Sequence, residues 1–217
     1  MEVINFDERP SLMSQFVREL RDINIQGDML RFRRNLERIG EIMAYEISKT
    51  LSYGKVDIST PLENMQCDEI SDQVVLATIF RAGVPFHKGL LNYFDHAGNA
   101  FVSAYRKYKD NEHFDVHIEY IASPRLDGKT IIIADPMLAT GASMELSYKA
   151  LLTKGEPSHI HIASIIASQV AIDYVKSVFP ADKTTIWVAA IDPIINSHSY
   201  IIPGLGDAGD LAYGPKE

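Results

Sequence analysis

Cysteine is nearly absent from this chain, since Cys67 is the only one among 217 residues. A single thiol excludes an intramolecular disulfide framework and a zinc site built on several thiolates, and it suits a reducing compartment. The seven histidines form no H-E-x-x-H pattern, and we expect His159 and His161, on one face of a predicted strand, to be structural. These features predict a cytoplasmic protein without a zinc centre.

Long apolar runs are also missing. The longest stretch without a formal charge, about residues 159–172, is too short and too polar to cross a bilayer. The first residues include acidic side chains, where a secretory signal would have a basic start and an apolar centre. We therefore expect a soluble chain with no membrane partner.

Positive charge is scarce, because the chain has 21 Lys and Arg residues and 29 Asp and Glu residues, which gives a net charge of -8. This balance opposes a protein that coats nucleic acid, so no nucleic-acid partner is expected, although a local basic pocket remains compatible with it. The densest basic run, RFRR at residues 31–34, is expected to be a solvated helix face. Contact with a phosphate or an effector is the alternative.

Apolar strand candidates alternate with helical segments along the chain, and no repeat or linker interrupts them. This alternation predicts an α/β fold with a mostly parallel sheet flanked by helices. We expect one domain over residues 1–217, with N-terminal helices at about 8–52, a core at about 55–192 and a C-terminal segment at about 193–217. The predicted strands are 74–80, 101–106, 130–135, 159–167 and 184–192, and the predicted helices are 28–51, 86–94, 143–154 and 169–179.

Two segments depart from this alternation. Residues 107–124 are charged first and β-like later, which predicts a hairpin that projects from the sheet. Residues 193–217 are rich in glycine and show no helical period, so they are expected to form a binding loop after the last strand. A frayed terminus is the alternative for the second segment.

The strongest local signal is TIIIADPMLATGAS at residues 130–143, in which a strand ends at Asp135 and a helix opens near Ser143. Ligands of open parallel sheets bind beyond the carboxyl ends of strands, and a helix N-terminus attracts phosphate. Asp135 is suited to accept hydrogen bonds from sugar hydroxyls. The segment predicts a site for a ribose 5-phosphate, with a capped helix start and no ligand as the alternative.

Two arginines, Arg81 and Arg106, also stand at the ends of strand candidates. The guanidinium fork matches diphosphate oxygens, and surface ion pairing is the alternative for each side chain. In the glycine-rich loop that follows, Asp207 and Asp210 lie close enough in sequence to address one Mg²⁺ or one polyphosphate. Ordinary turn chemistry is the alternative for these two aspartates.

Taken together, these pieces resemble the uracil phosphoribosyltransferase family. The similar segments are IFRAG, AYR, ADPMLATGAS, WVAAID, the helical FRRNLERIGEIMAYE and, most specific to the uracil branch, YIIPGLGDAGD. The resemblance covers about residues 32–210, and it implies a type I phosphoribosyltransferase fold with a C-terminal base-binding hood. It also implies the reaction of uracil with 5-phospho-α-D-ribose 1-diphosphate, which yields UMP and diphosphate.

The resemblance also assigns roles to particular residues. It implies catalytic roles for Asp207 and Arg106, and uracil contacts from Ile201, Gly206, Asp207 and Ala208. Mg²⁺ is implied as the cofactor, carried mainly by the substrate, together with a homodimer or higher homo-oligomer and, in some members, GTP as an effector. The residues implied to bind the ribose diphosphate are Arg81, Arg106, Asp135, Pro136, Met137, Leu138, Ala139, Thr140, Gly141, Ala142, Ser143 and Asp207.

One departure from the family pattern bears on activity. Ala142 stands where the uracil family usually has a second glycine, so a requirement there for positive φ or for close phosphate approach would weaken substrate binding. Two alternatives to the enzyme therefore stay open: a catalytically degenerate nucleotide-binding regulator of the same fold, and a pyrimidine-operon RNA-binding regulator. The net negative charge and the uracil-type loop weigh against the RNA-binding alternative.

Overall fold

Helices and strands alternate through most of the chain in the computed structural model, which describes residues 1–108 and 114–216. The helices are α1 Leu12–Arg21, α2 Met29–Ser48, α3 Gly83–Leu91, α4 Ala142–Leu152, α5 Gln169–Val178 and α6 Ala208–Tyr213. The strands are β1 Glu2–Asn5, β2 Tyr53–Ser59, β3 Asn64–Ile70, β4 Val74–Phe80, β5 Gly98–Tyr108, β6 Phe114–Ala122, β7 Thr130–Ala134, β8 Met137–Leu138, β9 His159–Ser168, β10 Thr184–Asp192, β11 Ile194–Ile195 and β12 Ile201–Ile202.

The main sheet has the strand order β1-β10-β9-β7-β4-β5-β6, and the short β8 adds to β9. Neighbouring strands are parallel except for the antiparallel edge pair β5 and β6. The central strands β4, β7, β9 and β10 are apolar and buried along almost their whole length, as expected for a sheet covered on both faces. The predicted mostly parallel α/β fold is confirmed.

Helices cover the sheet from both sides. Along β7, the side chain of Ile132 packs with α1, α2 and α3, whereas Ile131 and Ile133 pack with α4 and α5. This alternation follows from the two-residue period of a strand and produces two apolar layers. The layers fix the carboxyl ends of β4, β7 and β10 at one edge of the sheet. Among the described residues, no helix is both long and apolar enough to cross a bilayer.

Several elements escaped sequence analysis because their burial is low or their length is short. The two-stranded hairpin β2–β3 is not among the predicted strands, although KVDIS at residues 55–59 alternates apolar and polar side chains, and it is exposed over most of its length. The expected helix at 28–51 is present as α2 and begins after Asp28, whose side chain accepts a hydrogen bond from the Arg31 amide. The strand predicted at 184–192 is present with the same bounds.

Both irregular segments differ from expectation. The hairpin predicted at 107–124 is built from β5 and β6, which are the edge strands of the main sheet over most of their length, while residues 109–113 lie outside the described part of the chain. Residues 193–217, which are expected to form a binding loop and show no helical period, include the short helix α6 at residues 208–213. A helix of six residues is too short to show a period in sequence, and it starts on a cap supplied by Asp207.

His161 of β9 has the structural role expected of it. His161 is buried, and its Nδ1 accepts a hydrogen bond from Trp187 Nε1 at 3.1 Å. Desolvation lowers the pKa of His161 to about 3, so the ring is neutral at physiological pH.

Glu19 joins the two N-terminal helices. Its buried carboxylate accepts hydrogen bonds from Arg31 Nε at 2.9 Å, Arg31 Nη2 at 2.7 Å and Asn35 Nδ2 at 2.7 Å. The hydrogen bonds from Arg31 and Asn35 lower the pKa of Glu19 to about 2. The other arginines of the basic run at 31–34 also have partners within the molecule, since Arg34 pairs with Glu37 and Arg33 donates to Ala212 O. The run is a half-exposed helix face, as predicted.

We expect Glu19→Gln to lower the free energy of unfolding at pH 7 by about 1–3 kcal/mol, the usual cost of removing one partner of a charged hydrogen bond. Since the pKa of Glu19 is depressed on folding, its contribution is present above the unfolded-state value of 4.5 and is lost as the pH falls toward about 2. Urea unfolding should show nearly the same difference between wild type and variant at pH 7 and pH 5, and a smaller difference at pH 3. Glu46→Gln is the matched control, because its pair with Lys49 is surface-exposed, and an equal loss there would contradict this account.

Candidate functional site

The strand ends of the main sheet open into a cleft of about 510 Å³. Its walls come from the turn after β4, the loop between β7 and α4, and the C-terminal segment. The structure thus brings together most of the side chains that the sequence singled out. The predicted residues that line the cleft are Arg81, Asp135, Met137, Ala139, Ser143, Ile201, Gly206, Asp207 and Ala208.

The loop between β7 and α4 is fixed by hydrogen bonds from both sides. Asp135 Oδ1 accepts from the Met137 amide at 3.2 Å, and Ser168 Oγ donates to Ala139 O at 2.6 Å. Ser164 Oγ donates a short hydrogen bond to Asp135 O. Because Ser164 and Ser168 belong to β9, the neighbouring strand sets the course of this loop from behind.

Gly141 is the residue of this loop whose backbone conformation requires glycine. Its φ is +85°, and a Cβ atom at this position would lie 2.7 Å from Cδ1 of Tyr174. Ala142 is the first residue of α4, and it is not among the described residues with positive φ. Position 142 therefore has no requirement for positive φ, which belongs to Gly141, so only a close approach of phosphate would make the Ala142 methyl group unfavourable.

Some predicted residues of the same segment stand back from the cleft. Leu138 packs in the core on the side of α4 and α5. Such residues, apart from proline, can offer a ligand their backbone amides, which suits the start of a helix. The members that do not line the cleft are Pro136, Leu138, Thr140, Gly141 and Ala142. Arg106 belongs to β5 opposite Val116, and its side chain lies outside the described part of the structure.

Arg81 follows β4 and reaches the C-terminal segment. Its Nη2 lies 2.6 Å from Asp210 Oδ1, and its Nη1 donates to Gly214 O at 3.3 Å. The Nε group is buried and has no hydrogen-bond partner among the described residues. Sequence analysis placed Arg81 in an anion site but gave no sign that Asp210 would pair with it.

Asp207 has two sets of contacts. Its Oδ1 accepts from the amides of Gly209 at 2.8 Å and Asp210 at 3.0 Å, so it caps α6, and its Oδ2 lies 3.3 Å from Lys216 Nζ. Burial alone would raise the pKa of Asp207, but the amide hydrogen bonds and Lys216 outweigh burial and lower it. The side chain is thus a carboxylate at neutral pH, and Lys216, which sequence analysis missed, also lines the cleft.

A second group that sequence analysis missed lies behind the glycine-rich loop. Arg21 forms a two-pronged ion pair with Asp192, with both N–O distances at 2.8 Å. The same arginine donates to Gly204 O at 2.9 Å, and the Gly204 amide donates to Asp192 Oδ2 at 2.9 Å. Asp192 ends the WVAAID strand and was visible as a motif residue, whereas nothing local marks Arg21.

The acidic groups of the cleft fit a cation that arrives with a phosphate ligand. Asp135 and Asp207 are the carboxylates of the cleft lining discussed so far, and the described residues contain no group of three or more His, Cys, Asp or Glu arranged for a metal. Mg²⁺ binds through one or two carboxylates plus substrate phosphates and water, rather than through a dedicated protein cage. The carboxylates of Asp135 and Asp207 are compatible with this substrate-assisted binding of Mg²⁺.

Comparisons with known proteins agree with the geometry. Residues 10–215 match the family model described as uracil phosphoribosyltransferase. A curated uracil phosphoribosyltransferase of Porphyromonas gingivalis is 66% identical over 216 residues, with 100% of both chains covered. The solved structure of the AQ2163 protein from Aquifex aeolicus has a TM-score of 0.87 and 28% identity, and the match covers 98% of each chain.

A similar fold is found in a solved structure of much lower sequence identity. The orotate phosphoribosyltransferase of Mycobacterium tuberculosis H37Rv, solved with 5-phospho-α-D-ribosyl 1-diphosphate, has a TM-score of 0.51 at 11% identity, with 87% of this chain and 94% of that chain covered. This match bears on the fold alone, which is that of the type I phosphoribosyltransferases. With the family model and the full-length relative, the conclusion is that this chain is a pentosyltransferase that belongs to the uracil phosphoribosyltransferase family.

Proposed function

We propose that the strand-end cleft is where uracil reacts with 5-phospho-α-D-ribose 1-diphosphate to give UMP and diphosphate. The observation that supports this most is the convergence, in one cleft, of an arginine, a strand-to-helix loop and a glycine-rich segment. Each of the three has the chemistry for one part of the substrates: diphosphate, ribose phosphate and base. The degenerate nucleotide-binding regulator and the RNA-binding regulator are not favoured.

The ribose diphosphate is proposed to lie along the loop between β7 and α4. In this arrangement Asp135 accepts hydrogen bonds from the ribose hydroxyls, and the amides and hydroxyls at the start of α4 hold the 5-phosphate. The amides of residues 137–142 and the Ser143 side chain would provide those contacts, while Pro136, which has no N–H, would shape the loop. Arg81 and Arg106 would bind the diphosphate group, for which a guanidinium has matching donor geometry.

Catalysis in this cleft is proposed to be mainly electrostatic and positional. Displacement at the anomeric carbon develops oxocarbenium character as the diphosphate departs, as in glycoside hydrolysis. Arg106 and Arg81 would stabilise the negative charge that builds on the departing diphosphate. Asp207 would lie between this group and the uracil base. When bound with the substrate, Mg²⁺ would supply further charge neutralisation there.

Recognition of the base is proposed to use Ile201, Gly206, Asp207 and Ala208, largely through backbone groups. Uracil presents N3–H as a donor and O4 as an acceptor, whereas cytosine reverses both at that edge. A backbone surface matched to uracil leaves buried groups unpaired with cytosine, and such mismatches discriminate by about 10⁴-fold or more.

The proposal includes the state of the whole protein. We propose that residues 1–217 act as one domain, because side chains of α1, α2, the central strands and α6 share one apolar core. A homo-oligomer is supported by the exposed apolar side chains of the β2–β3 hairpin, where Leu62 is 97% and Met65 50% exposed. Regulation by GTP is proposed from the family resemblance alone. A cytoplasmic location is supported by the acidic composition and the lone cysteine.

The direct test is diphosphate release with the ribose diphosphate, Mg²⁺ and one base at a time: uracil, cytosine, hypoxanthine or orotate. We expect robust turnover with uracil alone. No turnover with any base would favour the degenerate regulator. An RNA gel shift that weakens steeply with salt would favour the RNA-binding alternative.

A further inference from the structure

A partly buried network supports the glycine-rich loop through groups that do not line the cleft. Arg21 is the last residue of α1, and its side chain is 24% exposed, while that of Asp192 at the end of β10 is 7% exposed. The two residues are paired through Nη1 and Nη2 of Arg21 and both carboxylate oxygens of Asp192, at 2.8 Å each. This geometry fixes the orientation of both groups.

The network holds Gly204 at both of its backbone polar groups. The amide of Gly204 donates to Asp192, and the carbonyl accepts from Arg21. Gly204 has a φ of +57°, and a Cβ atom there would collide with Ile201 O, so the turn leaves no room for a side chain. The peptide groups on either side of Gly204 thus have a defined plane.

Gln26 extends the support by one residue. Its Nε2 lies 2.9 Å from Leu20 O, 3.1 Å from Arg21 O and 3.3 Å from Leu205 O, and its two N–H groups are shared among these three carbonyls. Two successive carbonyls of the loop, those of residues 204 and 205, are consequently tied to the end of α1. The loop residues on either side of this anchor, Ile201 and Gly206, line the cleft, whereas Arg21 does not.

We propose that Arg21, through Asp192 and Gly204, is a positioning residue for the uracil-binding loop. The inference rests on the proposed function, in which the base is read mainly by backbone groups of residues 201–208. Backbone groups cannot change rotamer to follow a ligand, so their discrimination depends on how accurately the loop is held. A shift of about 1 Å in such groups can cost as much as about 100-fold in reaction efficiency.

The test compares Arg21→Lys and Asp192→Asn with wild type, in steady-state kinetics with each substrate varied. Lysine keeps the charge but cannot pair through two nitrogens, and asparagine keeps the shape of Asp192 but removes its charge. We expect KM for uracil to rise about 10-fold or more, KM for the ribose diphosphate to stay within about 2-fold, and the preference for uracil over cytosine to fall. Arg18→Ala is the matched control, because Arg18 lies one turn earlier on α1 and its contact with Asp22 is 3.8 Å long on the surface.

Three results would overturn the inference. Unchanged KM for uracil in both variants would do so, and so would an equal rise in both KM values, which indicates general damage. The third is unchanged hydrogen exchange at residues 201–206 in Arg21→Lys, where we expect faster exchange than in wild type. The exchange measurement needs no turnover, so it tests the support of the loop even if wild type fails to use uracil, a failure that would count against the proposed function instead.

Discussion

Arg81→Ala is expected to lower kcat/KM for the ribose diphosphate by about 10²- to 10³-fold, the usual effect of removing one donor that stabilises charge in a transition state. The side chain stands at the end of β4 with a buried Nε that no described residue accepts from, and with a carboxylate at 2.6 Å from Nη2. A bound diphosphate would offer the Arg81 guanidinium negatively charged oxygens, as the Asp210 carboxylate does in this structure. Initial rates with the ribose diphosphate varied at saturating uracil measure the effect.

Two further variants make the Arg81 experiment specific. Arg81→Lys keeps the positive charge without the planar fork, so we expect partial activity, above that of alanine and below wild type. Arg125→Ala is the control, because Arg125 is 84% exposed at the amino end of β7, away from the strand ends that form the cleft. Wild-type kinetics in Arg81→Ala would show that the diphosphate binds elsewhere.

The ion pairs of the cleft explain how an acidic protein can bind a highly anionic substrate. Arg81 is paired with Asp210, and Lys216 is paired with Asp207, so in this structure the two cations are compensated by carboxylates of the C-terminal segment. A substrate diphosphate would exchange with Asp210 at Arg81, an anion for an anion. The net charge of -8 therefore describes the surface of the protein and carries no information on the cleft.

The sequence was sufficient where structure depends on neighbours along the chain. The runs of residues 74–80 and 184–192 became β4 and β10 with unchanged bounds, because buried parallel strands must be continuously apolar. The strand-to-helix loop was recognisable for the same reason, since a strand, its terminal acid and a small-residue helix start are adjacent in sequence. The fold class and the location of the candidate site followed from these local patterns.

The sequence was insufficient where contacts join distant segments. Arg21 and Asp192 are separated by 171 positions, and Arg81 and Asp210 by 129, so no spacing rule relates either pair. Backbone conformation was also hidden: comparison of motifs drew attention to Ala142, whereas the positive φ belongs to Gly141 beside it. These features arise only when the sheet order brings the segments together.

Asp207→Ala is expected to remove most activity, with a loss of at least about 10²-fold, if the carboxylate acts at the substrate. The same change also removes the cap of α6, since Asp207 Oδ1 accepts from two amides of that helix. Loss of such a cap typically costs about 1 kcal/mol of stability. The alanine variant alone therefore confounds a chemical role with a structural one.

Asp207→Asn separates the two roles, because asparagine caps helices about as well as aspartate but carries no charge. Since the lowered pKa of Asp207 keeps it ionised at neutral pH, we expect Asp207→Asn to lose nearly as much activity as Asp207→Ala, while its Tm stays above that of Asp207→Ala. The control for capping is Asp28→Ala, which removes the cap of α2. It should lower Tm and leave kcat unchanged. Near-wild-type rates in Asp207→Asn, with a lowered Tm in Asp207→Ala, would reduce Asp207 to a helix cap and move the proposed catalytic role away from it.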